Sequence, residues 1–406
     1  MTDFRRADPP LGRSGRSVSG IPPEVTLRRF GPVGKRIGIT RLADVTGLDR
    51  VGLPVCLALR PTARSLVTSI GKGPTPAAAK VGALMESIET WHAEHLDLPT
   101  RTATPAELTA DGERALDVTE LPRAVGAVID PHKPRSWVRG VDLSTRAPTW
   151  VPVDSVSMDF VAERLGEPGL ARNSNGLASG NSLEQAMLHG LCEVVERDAE
   201  SRWRASSDSY RVRLDTVDDP DCRRLIGMID AAGLHLAAWD VTSHTGVPCY
   251  GCVVLAPPGL DGELDAGVHD GFSCRPSPAA ALAGAVEEAL QKRLTYIAGS
   301  RDDLSREEVE RVRAPELIDA VWDELAAEPA DMDLQDRPTL ATGTLAGDLR
   351  AVLRAVTSGS RHTVTAVDLT RPDAGVPVAK VIVTRMEGPF GMCAPASPDE
   401  SAPGER

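Results

Sequence analysis

The sequence predicts a mixed α/β fold in which internally repeated units each pack a helix on a sheet. Strand-like apolar runs, such as residues 53–60 and 247–256, alternate along the chain with helical patterns. Three of the helical patterns also match one another in their capping residues and in the polar residues that follow. These repeats span more than half of the chain. We therefore expect one large domain with short appendages.

Composition and charge narrow the class of protein. The chain has 406 residues, of which 41% are hydrophobic and 25% charged, as expected of a soluble globular protein with a large core. The net charge of −13 argues against a nucleic-acid-binding protein. No apolar run approaches the roughly 20 residues that a membrane-spanning helix needs, so we expect no membrane association.

The cysteines indicate a reducing compartment. Seven are scattered along the chain, an odd number without the spacing of a disulfide framework, which favours a cytoplasmic protein. Cys249 and Cys252 form a CxxC pair, but they lie in a strand-like run and lack a second ligand pair. We therefore expect them to be buried strand residues.

The sequence divides into one domain and three smaller parts. Residues 1–30 begin with an Arg-, Pro-, Gly- and Ser-rich stretch without the apolar run of a secretory signal, and we expect a flexible arm. Residues 31–390 form the predicted domain. Within it, residues 302–349 read as a charged helical insertion, and residues 391–406 read as a flexible tail.

Each of the three similar helical patterns starts at a capping residue and carries two polar side chains three residues apart. In chain order, the cap and the polar pair are Thr75 with Glu86 and Glu89, Ser182 with Glu193 and Glu196, and Ser277 with Glu288 and Gln291. Side chains three residues apart are neighbours on a helix. Because the pairs lie at the same depth after matched caps, we expect the three helices to bring them around one site.

The residue types at this predicted site suit a metal-bound nucleotide. The four carboxylates of Glu86, Glu89, Glu193 and Glu196 are ligands that Mg²⁺ prefers. Lys72 lies in a glycine turn before a helix N-terminus, where an anion binds well. The P-loop pattern GxxxxGK[ST] is absent, which predicts a nucleotide held through Mg²⁺ in another way. Ordinary surface glutamates are the alternative, and the matched repetition argues against it.

The stretches SIGKGPTPAAAKVGALMESIE, NGLASGNSLEQAMLHGLCEVVERD and AVEEALQKRL resemble the ATP-binding motifs of the YcaO family, over about residues 45–294. The resemblance implies a fold in which helix glutamates hold Mg²⁺ ions that carry the phosphates of ATP. Gly82 departs from the pattern, since many relatives carry a serine there. The implied cofactor-binding residues are Ser69, Lys72, Glu86, Glu89, Asn181, Gln185, Glu193, Glu196, Arg197, Glu288 and Gln291, with Glu86, Glu89, Glu193 and Glu196 as metal ligands and Glu193, Glu196 and Arg197 as catalytic residues.

The resemblance also implies an activity. YcaO proteins use ATP to phosphorylate the oxygen of a backbone amide in a ribosomally synthesised precursor peptide, and they form dimers. Residues 45–55 resemble YcaO proteins that work with a TfuA partner, and the sequence lacks the PxPxP run that often ends azoline-forming members. These features favour a thioamide formed with external sulfur from a TfuA-like protein. An azoline formed from Cys, Ser or Thr is the alternative product.

Two other functions are consistent with parts of the sequence. A non-catalytic partner subunit would bind nucleotide without chemistry, but the acidic set is complete. A di-metal carboxylate protein would use Glu89 and His92, which have the ExxH spacing of di-iron bundles. The second motif argues against it, because Ala199 occupies the position three residues after Glu196.

Overall fold

The computed structural model describes residues 20–161, 169–206, 209–257, 266–386 and 388. Within these ranges the helices are α1 (Pro23–Arg36), α2 (Pro76–Glu94), α3 (Pro105–Ala110), α4 (Leu183–Ser206), α5 (Pro220–Ala231), α6 (Pro278–Ala298), α7 (Arg306–Val312), α8 (Pro315–Ala327) and α9 (Leu345–Thr357). The strands are β1 (Arg41–Asp44), β2 (Val55–Leu59), β3 (Thr68–Lys72), β4 (Thr100–Ala103), β5 (Arg135–Asp142), β6 (Pro148–Pro152), β7 (Leu177–Ser179), β8 (Tyr210–Arg211), β9 (His235–Asp240), β10 (Cys249–Leu255), β11 (His269–Cys274), β12 (Val364–Asp368) and β13 (Val378–Val383).

These strands form three antiparallel sheets. The first has the order β1-β2-β3, and the second has the order β11-β10-β9-β8. The third runs β4-β5-β12-β13-β7, with β6 paired to β5. The predicted mixed α/β fold is confirmed. An all-helical di-iron bundle is wrong, because sheets carry much of the described core.

Each of the three predicted repeat helices follows a strand of a different sheet. The connections β3–α2, β7–α4 and β11–α6 are all short. The Thr75 side chain accepts a hydrogen bond from the Ala78 amide, and the Ser182 hydroxyl accepts one from the Gln185 amide at 3.2 Å. These bonds confirm two of the three predicted caps. Ser277 precedes α6, but its side chain makes no capping hydrogen bond.

Glycines let two of these helices lie directly against their own strands. A Cβ atom on Gly71 in β3 would come within 2.1 Å of the Ala79 oxygen in α2. A Cβ atom on Gly271 in β11 would come within 2.2 Å of the Ala285 oxygen in α6. Only glycine allows so close an approach of backbones. The first and third units therefore share their packing as well as their motifs.

The predicted boundaries need correction at the N-terminus. Residues 23–30, assigned to a flexible arm, begin helix α1. Phe30 and Val33 are buried and pack in the same apolar cluster as Leu84 and Ile88 of α2. The prediction was wrong there because the Arg- and Pro-rich composition concealed an amphipathic helix. Residues 1–19 and the predicted tail, 391–406, lie outside the described residues.

The predicted insertion at residues 302–349 is helical, with α7, α8 and the start of α9. Its last part belongs to the core, since Leu345 and Val352 of α9 are buried in the cluster that contains Leu191 and Val195 of α4. Cys249 and Cys252 are buried in β10, as predicted. Among the described residues, no helix is long and apolar enough to span a membrane.

Candidate active site

Hydrogen bonds between the repeated units bring the polar pairs of α2, α4 and α6 to one place. Glu89 of α2 reaches Ser179 at the end of β7, the strand that precedes α4. Its Oε1 accepts hydrogen bonds from the Ser179 amide at 2.8 Å and from the Ser179 hydroxyl at 2.7 Å. Glu196 of α4 reaches Cys274 at the end of β11, the strand that precedes α6. Its Oε2 accepts from the Cys274 amide at 3.1 Å.

The third helix returns to the first strand and closes the cycle. Gln291 of α6 donates from Nε2 to the Ile70 carbonyl oxygen in β3 at 3.1 Å. The Ile70 amide in turn donates to Glu86 Oε2 at 2.9 Å. The second residue of each pair therefore anchors the next unit's strand. We call Glu89, Glu196 and Gln291, with the strand groups that they contact, the inter-repeat ring.

Two cationic side chains at the site, Lys72 and Arg197, lie beside Glu288, the first residue of the third pair. Lys72 Nζ is 3.6 Å from Glu288 Oε2, and Arg197 Nη2 is 4.0 Å from Glu288 Oε1. Arg197 also lies 3.6 Å from Glu196 and 3.0 Å from Glu200. Burial alone would raise the pKa of Glu288, but Lys72 and Arg197 hold that pKa below its usual value. Glu288 is therefore ionised and already paired.

The pKa values of the other four carboxylates are shifted in the opposite direction. The pKa of Glu86 is raised to about 7, and those of Glu89 and Glu196 to about 8, first because the surrounding protein desolvates the charged form. The pKa of Glu193 is raised for the same reason. Repulsion adds to the effect, since Glu193 raises the pKa of the other three. Such a cluster is short of positive charge.

The loop before α4 is held by helix α1. Gln185 Oε1 accepts a hydrogen bond from the Asn181 amide at 2.8 Å, which fixes the start of the helix. Thr26 Oγ1 of α1 donates to Asn181 Oδ1 at 3.2 Å, and Arg29 donates to the Asn181 carbonyl oxygen at 3.5 Å. Thr26 was missed from the sequence. Its signal was a hydroxyl on the apolar side of an amphipathic pattern, four residues before Phe30.

Sequence reasoning also missed a buried lysine, Lys380. Lys380 is 2% exposed in β13, and its Nζ donates to the Asn173 carbonyl oxygen at 2.6 Å. Burial lowers the pKa of Lys380 to about 8, and Glu193 opposes the shift. A lysine inside the apolar run VAKVIV was the available signal. Ser69 is buried in β3, and in the described part of the chain no hydrogen bond joins its hydroxyl to the acidic residues.

The donor set fits Mg²⁺ bound together with phosphates. No three carboxylate, histidine or cysteine side chains of the described residues converge closely enough to form a complete metal site. Mg²⁺ in nucleotide sites commonly takes one or two carboxylates and completes its octahedron with phosphate oxygens and water. Glu86, Glu193 and the unused oxygens of Glu89 and Glu196 could supply such ligands.

Comparison with known proteins agrees with this geometry. Residues 70–387 match the family model described as YcaO cyclodehydratase, ATP- and Mg²⁺-binding. An uncharacterized protein of Methanothermobacter thermautotrophicus is 35% identical over 376 residues, covering 90% of this chain and 94% of the relative. An uncharacterized protein in the tfuA 3′ region of Rhizobium leguminosarum bv. trifolii is 35% identical over 318 residues, covering 75% of this chain and 74% of the relative.

Solved structures share the fold. YcaO from Methanopyrus kandleri bound with AMPPCP and Mg²⁺ superposes with a TM-score of 0.67 at 24% identity, covering 90% of this chain and 91% of that one. A heterocyclase in complex with substrate and cofactor gives a TM-score of 0.74 at 22% identity. It covers 94% of this chain, which spans only 55% of the heterocyclase. The chain belongs to the YcaO family of ATP-dependent peptide-modifying enzymes, and its cofactors are ATP and Mg²⁺.

Proposed function

We propose that this protein uses ATP to phosphorylate the oxygen of a backbone amide in a ribosomally synthesised precursor peptide. Sulfur from an external donor adds to the carbonyl carbon, and loss of the phosphorylated oxygen leaves a thioamide. One observation carries the proposal. The inter-repeat ring brings the carboxylates of three helices to one place, directly beside Lys72 and Arg197. This pairing of an anionic half with a cationic half suits a metal-bound triphosphate.

The chemistry explains why ATP is needed. An amide carbon is a poor electrophile, and its oxygen is a poor leaving group. A sulfide nucleophile adds to the carbonyl carbon, and the resulting oxyanion attacks the γ-phosphorus of ATP, so that an O–P bond forms while ADP leaves. The C–O bond then breaks as sulfur forms a double bond to the carbon, and phosphate departs with the oxygen and takes up the proton that sulfur loses. The amide, sulfide and ATP thus become the thioamide, ADP and phosphate.

The proposed roles of the residues follow from their positions. Glu86, Glu89, Glu193 and Glu196 would hold Mg²⁺, which neutralises phosphate charge when bound. Lys72 lies in the glycine turn before α2 and would contact a phosphate. Arg197 has a carboxylate on either side, so it would orient Glu196 and Glu288 as well as contact phosphate.

The preference for a thioamide rests on two likenesses. Residues 45–55 resemble YcaO proteins that act with TfuA, and one relative at 35% identity takes its name from the tfuA region. A TfuA-like protein would supply the sulfur. The enzyme would act as a homodimer in the cytoplasm, which size-exclusion chromatography with light scattering and cell fractionation would test.

The decisive experiment is mass spectrometry of a candidate precursor peptide after incubation with the protein, ATP, Mg²⁺, sulfide and a TfuA-like partner. Exchange of one oxygen for one sulfur is the expected result. Loss of one water would instead show an azoline. ADP release is measured in parallel, with and without peptide. A protein that binds ATP but releases no ADP with any peptide and leaves every peptide unmodified would be a non-catalytic subunit, and the proposal would be wrong.

A further inference from the structure

Arg275 occupies a position that is glycine in the two other repeated units. It lies two residues before Ser277, as Gly73 precedes Thr75 and Gly180 precedes Ser182. In the first two loops the space for a side chain is occupied. A Cβ atom on Gly73 would come within 2.8 Å of the Ala78 side chain, and one on Gly180 within 2.8 Å of the Ser182 oxygen. At this position, two residues before the capping residue, only the third of these loops has a side chain, and that side chain is cationic.

Two hydrogen bonds fix this arginine beside the inter-repeat ring. Its amide donates to the Pro248 carbonyl oxygen at 3.0 Å. Its Nη1 donates to the Cys274 carbonyl oxygen at 2.7 Å, while the Cys274 amide donates to Glu196. The backbone amide and carbonyl of one residue, Cys274, thus connect the Glu196 carboxylate with the Arg275 guanidinium. Both partners are neutral carbonyl oxygens, so neither of them neutralises the positive charge of the guanidinium.

The guanidinium has no anionic partner of its own. In the described chain, no carboxylate oxygen lies within 4 Å of its nitrogens, whereas Lys72 and Arg197 both have such neighbours. Burial disfavours its charge, but Glu196 and Glu288 at longer range raise the pKa of Arg275. Together with desolvation, Arg275 and Lys72 lower the pKa of His189, which places both cations around the same part of α4. A guanidinium that lies near buried carboxylates but is paired with none of them suits an anion that arrives with the substrate.

We propose that Arg275 contacts the phosphoryl group while that group passes from ATP to the amide oxygen. The inference rests on the proposed function and adds a residue from the third loop to the site. During transfer, the bond from the γ-phosphorus to ADP breaks and the bond to the amide oxygen forms. The three equatorial oxygens carry the charge. A planar fork of N–H donors that is not paired with a carboxylate binds those oxygens without first losing an ion pair.

The test compares Arg275→Gln, Arg275→Lys and Arg275→Ala with Arg139→Gln as the matched control. Arg139 is exposed and paired with Glu113, away from the ring. We expect Arg275→Gln to lower kcat for peptide-dependent ADP release by about 1,000-fold or more, the range of arginine contacts in phosphoryl transfer, with a much smaller change in the KM for ATP. Arg275→Lys should retain part of the activity, and Arg139→Gln all of it.

Chemical rescue separates catalysis from structure. Guanidinium ion at low millimolar concentration should restore activity to Arg275→Ala and not to Glu193→Gln. Wild-type kcat in Arg275→Gln would overturn the inference alone. So would a folded Arg275→Ala variant that guanidinium does not rescue. If the wild-type protein with peptide, partner and sulfide released no ADP and modified nothing, the proposed function would fail instead.

Discussion

Glu196 in α4 accepts a hydrogen bond from the amide of Cys274 at the end of β11, 3.1 Å away. The bond is one of three related contacts. Glu89 accepts a hydrogen bond from Ser179 in β7, the strand before α4, and Gln291 donates one to Ile70 in β3, the strand before α2. The repeat in the sequence is thus a cyclic arrangement in space. The second residue of each polar pair joins its helix to the strand of the next unit.

The inter-repeat ring predicts that a substitution of Gln291 lowers the stability of the fold. Replacing Gln291 by Glu removes the donor and places a carboxylate beside the Ile70 carbonyl oxygen. We expect the free energy of unfolding to fall by about 1–3 kcal/mol, the cost of leaving such groups unsatisfied. Urea denaturation measures it. The same change at the exposed Gln335 is the control and should have little effect. Equal stability of Gln291→Glu and wild type would contradict the ring.

The acidic pair of α4 predicts an effect on catalysis. The double variant Glu193→Gln, Glu196→Gln removes two carboxylates that we assign to Mg²⁺ and leaves their size unchanged. We expect Mg·ATP turnover to be abolished while the circular dichroism spectrum is retained. Glu184→Gln, in the first turn of the same helix, should turn over ATP normally. Wild-type turnover in the double variant would refute the assignment of the site.

The raised carboxylate pKa values predict how stability depends on pH without Mg²⁺. Glu86, Glu89 and Glu196 have pKa values of about 7 to 8 in the folded protein, against 4.5 for an ordinary glutamate. Between about pH 6.5 and 8 the folded state binds more protons at these carboxylates than the unfolded state, so stability falls as pH rises. Below about pH 6.5 the buried His189, whose pKa is lowered to about 3, opposes this fall, and above about pH 8 the buried Lys380, whose pKa is lowered to about 8, makes stability rise. Urea denaturation with chelator across this range checks the sign.

The same groups predict proton release when the metal binds. Mg²⁺ with nucleotide binds the ionised carboxylates, so its affinity should rise with pH up to about 8. Calorimetry in buffers with different ionisation enthalpies measures the protons released. Affinity that is independent of pH, with no proton release, would show that these carboxylates do not meet the metal.

The contact between helix α1 and Asn181 predicts that α1 contributes to nucleotide binding. Helix α1 lies outside the family match, which starts at residue 70. Thr26→Val keeps the shape of the side chain but loses the hydrogen bond to Asn181. We expect the KM for ATP to rise roughly 2- to 10-fold, the equivalent of one net hydrogen bond. Thr26→Ser should restore it. Thr109→Val, whose hydroxyl bonds only to the preceding turn of α3, is the control.

The sequence predicted local features well because their causes are local. The caps at Thr75 and Ser182 involve residues three positions away, and the strand character of residues 249–255 follows from its apolar side chains. The recurrence of the polar pairs also predicted that three helices would share one site. Each of these signals lies within a window of a few residues.

The contacts that build the site could not be predicted in the same way. Glu89 and Ser179 are 90 residues apart, and Gln291 and Ile70 are 221 apart. Periodicity gives the face on which a side chain lies and not the strand that it meets. Thus no signal in the sequence indicated that Gln291, predicted to contact cofactor, donates to the Ile70 carbonyl oxygen. The repeat gave no signal for Arg275, because Arg275 differs from the glycines at the matching positions of the other two loops.

The bond between Gln291 and Ile70 has a consequence for synthesis of the chain. A growing polypeptide cannot complete the ring until α6 has left the ribosome, long after β3 and α2 have emerged. Until then the glutamates of α2 and α4 lack the neighbouring side chains that α6 contributes to the site. Nucleotide would therefore stabilise finished molecules and not nascent ones, so ATP could favour the last step of folding.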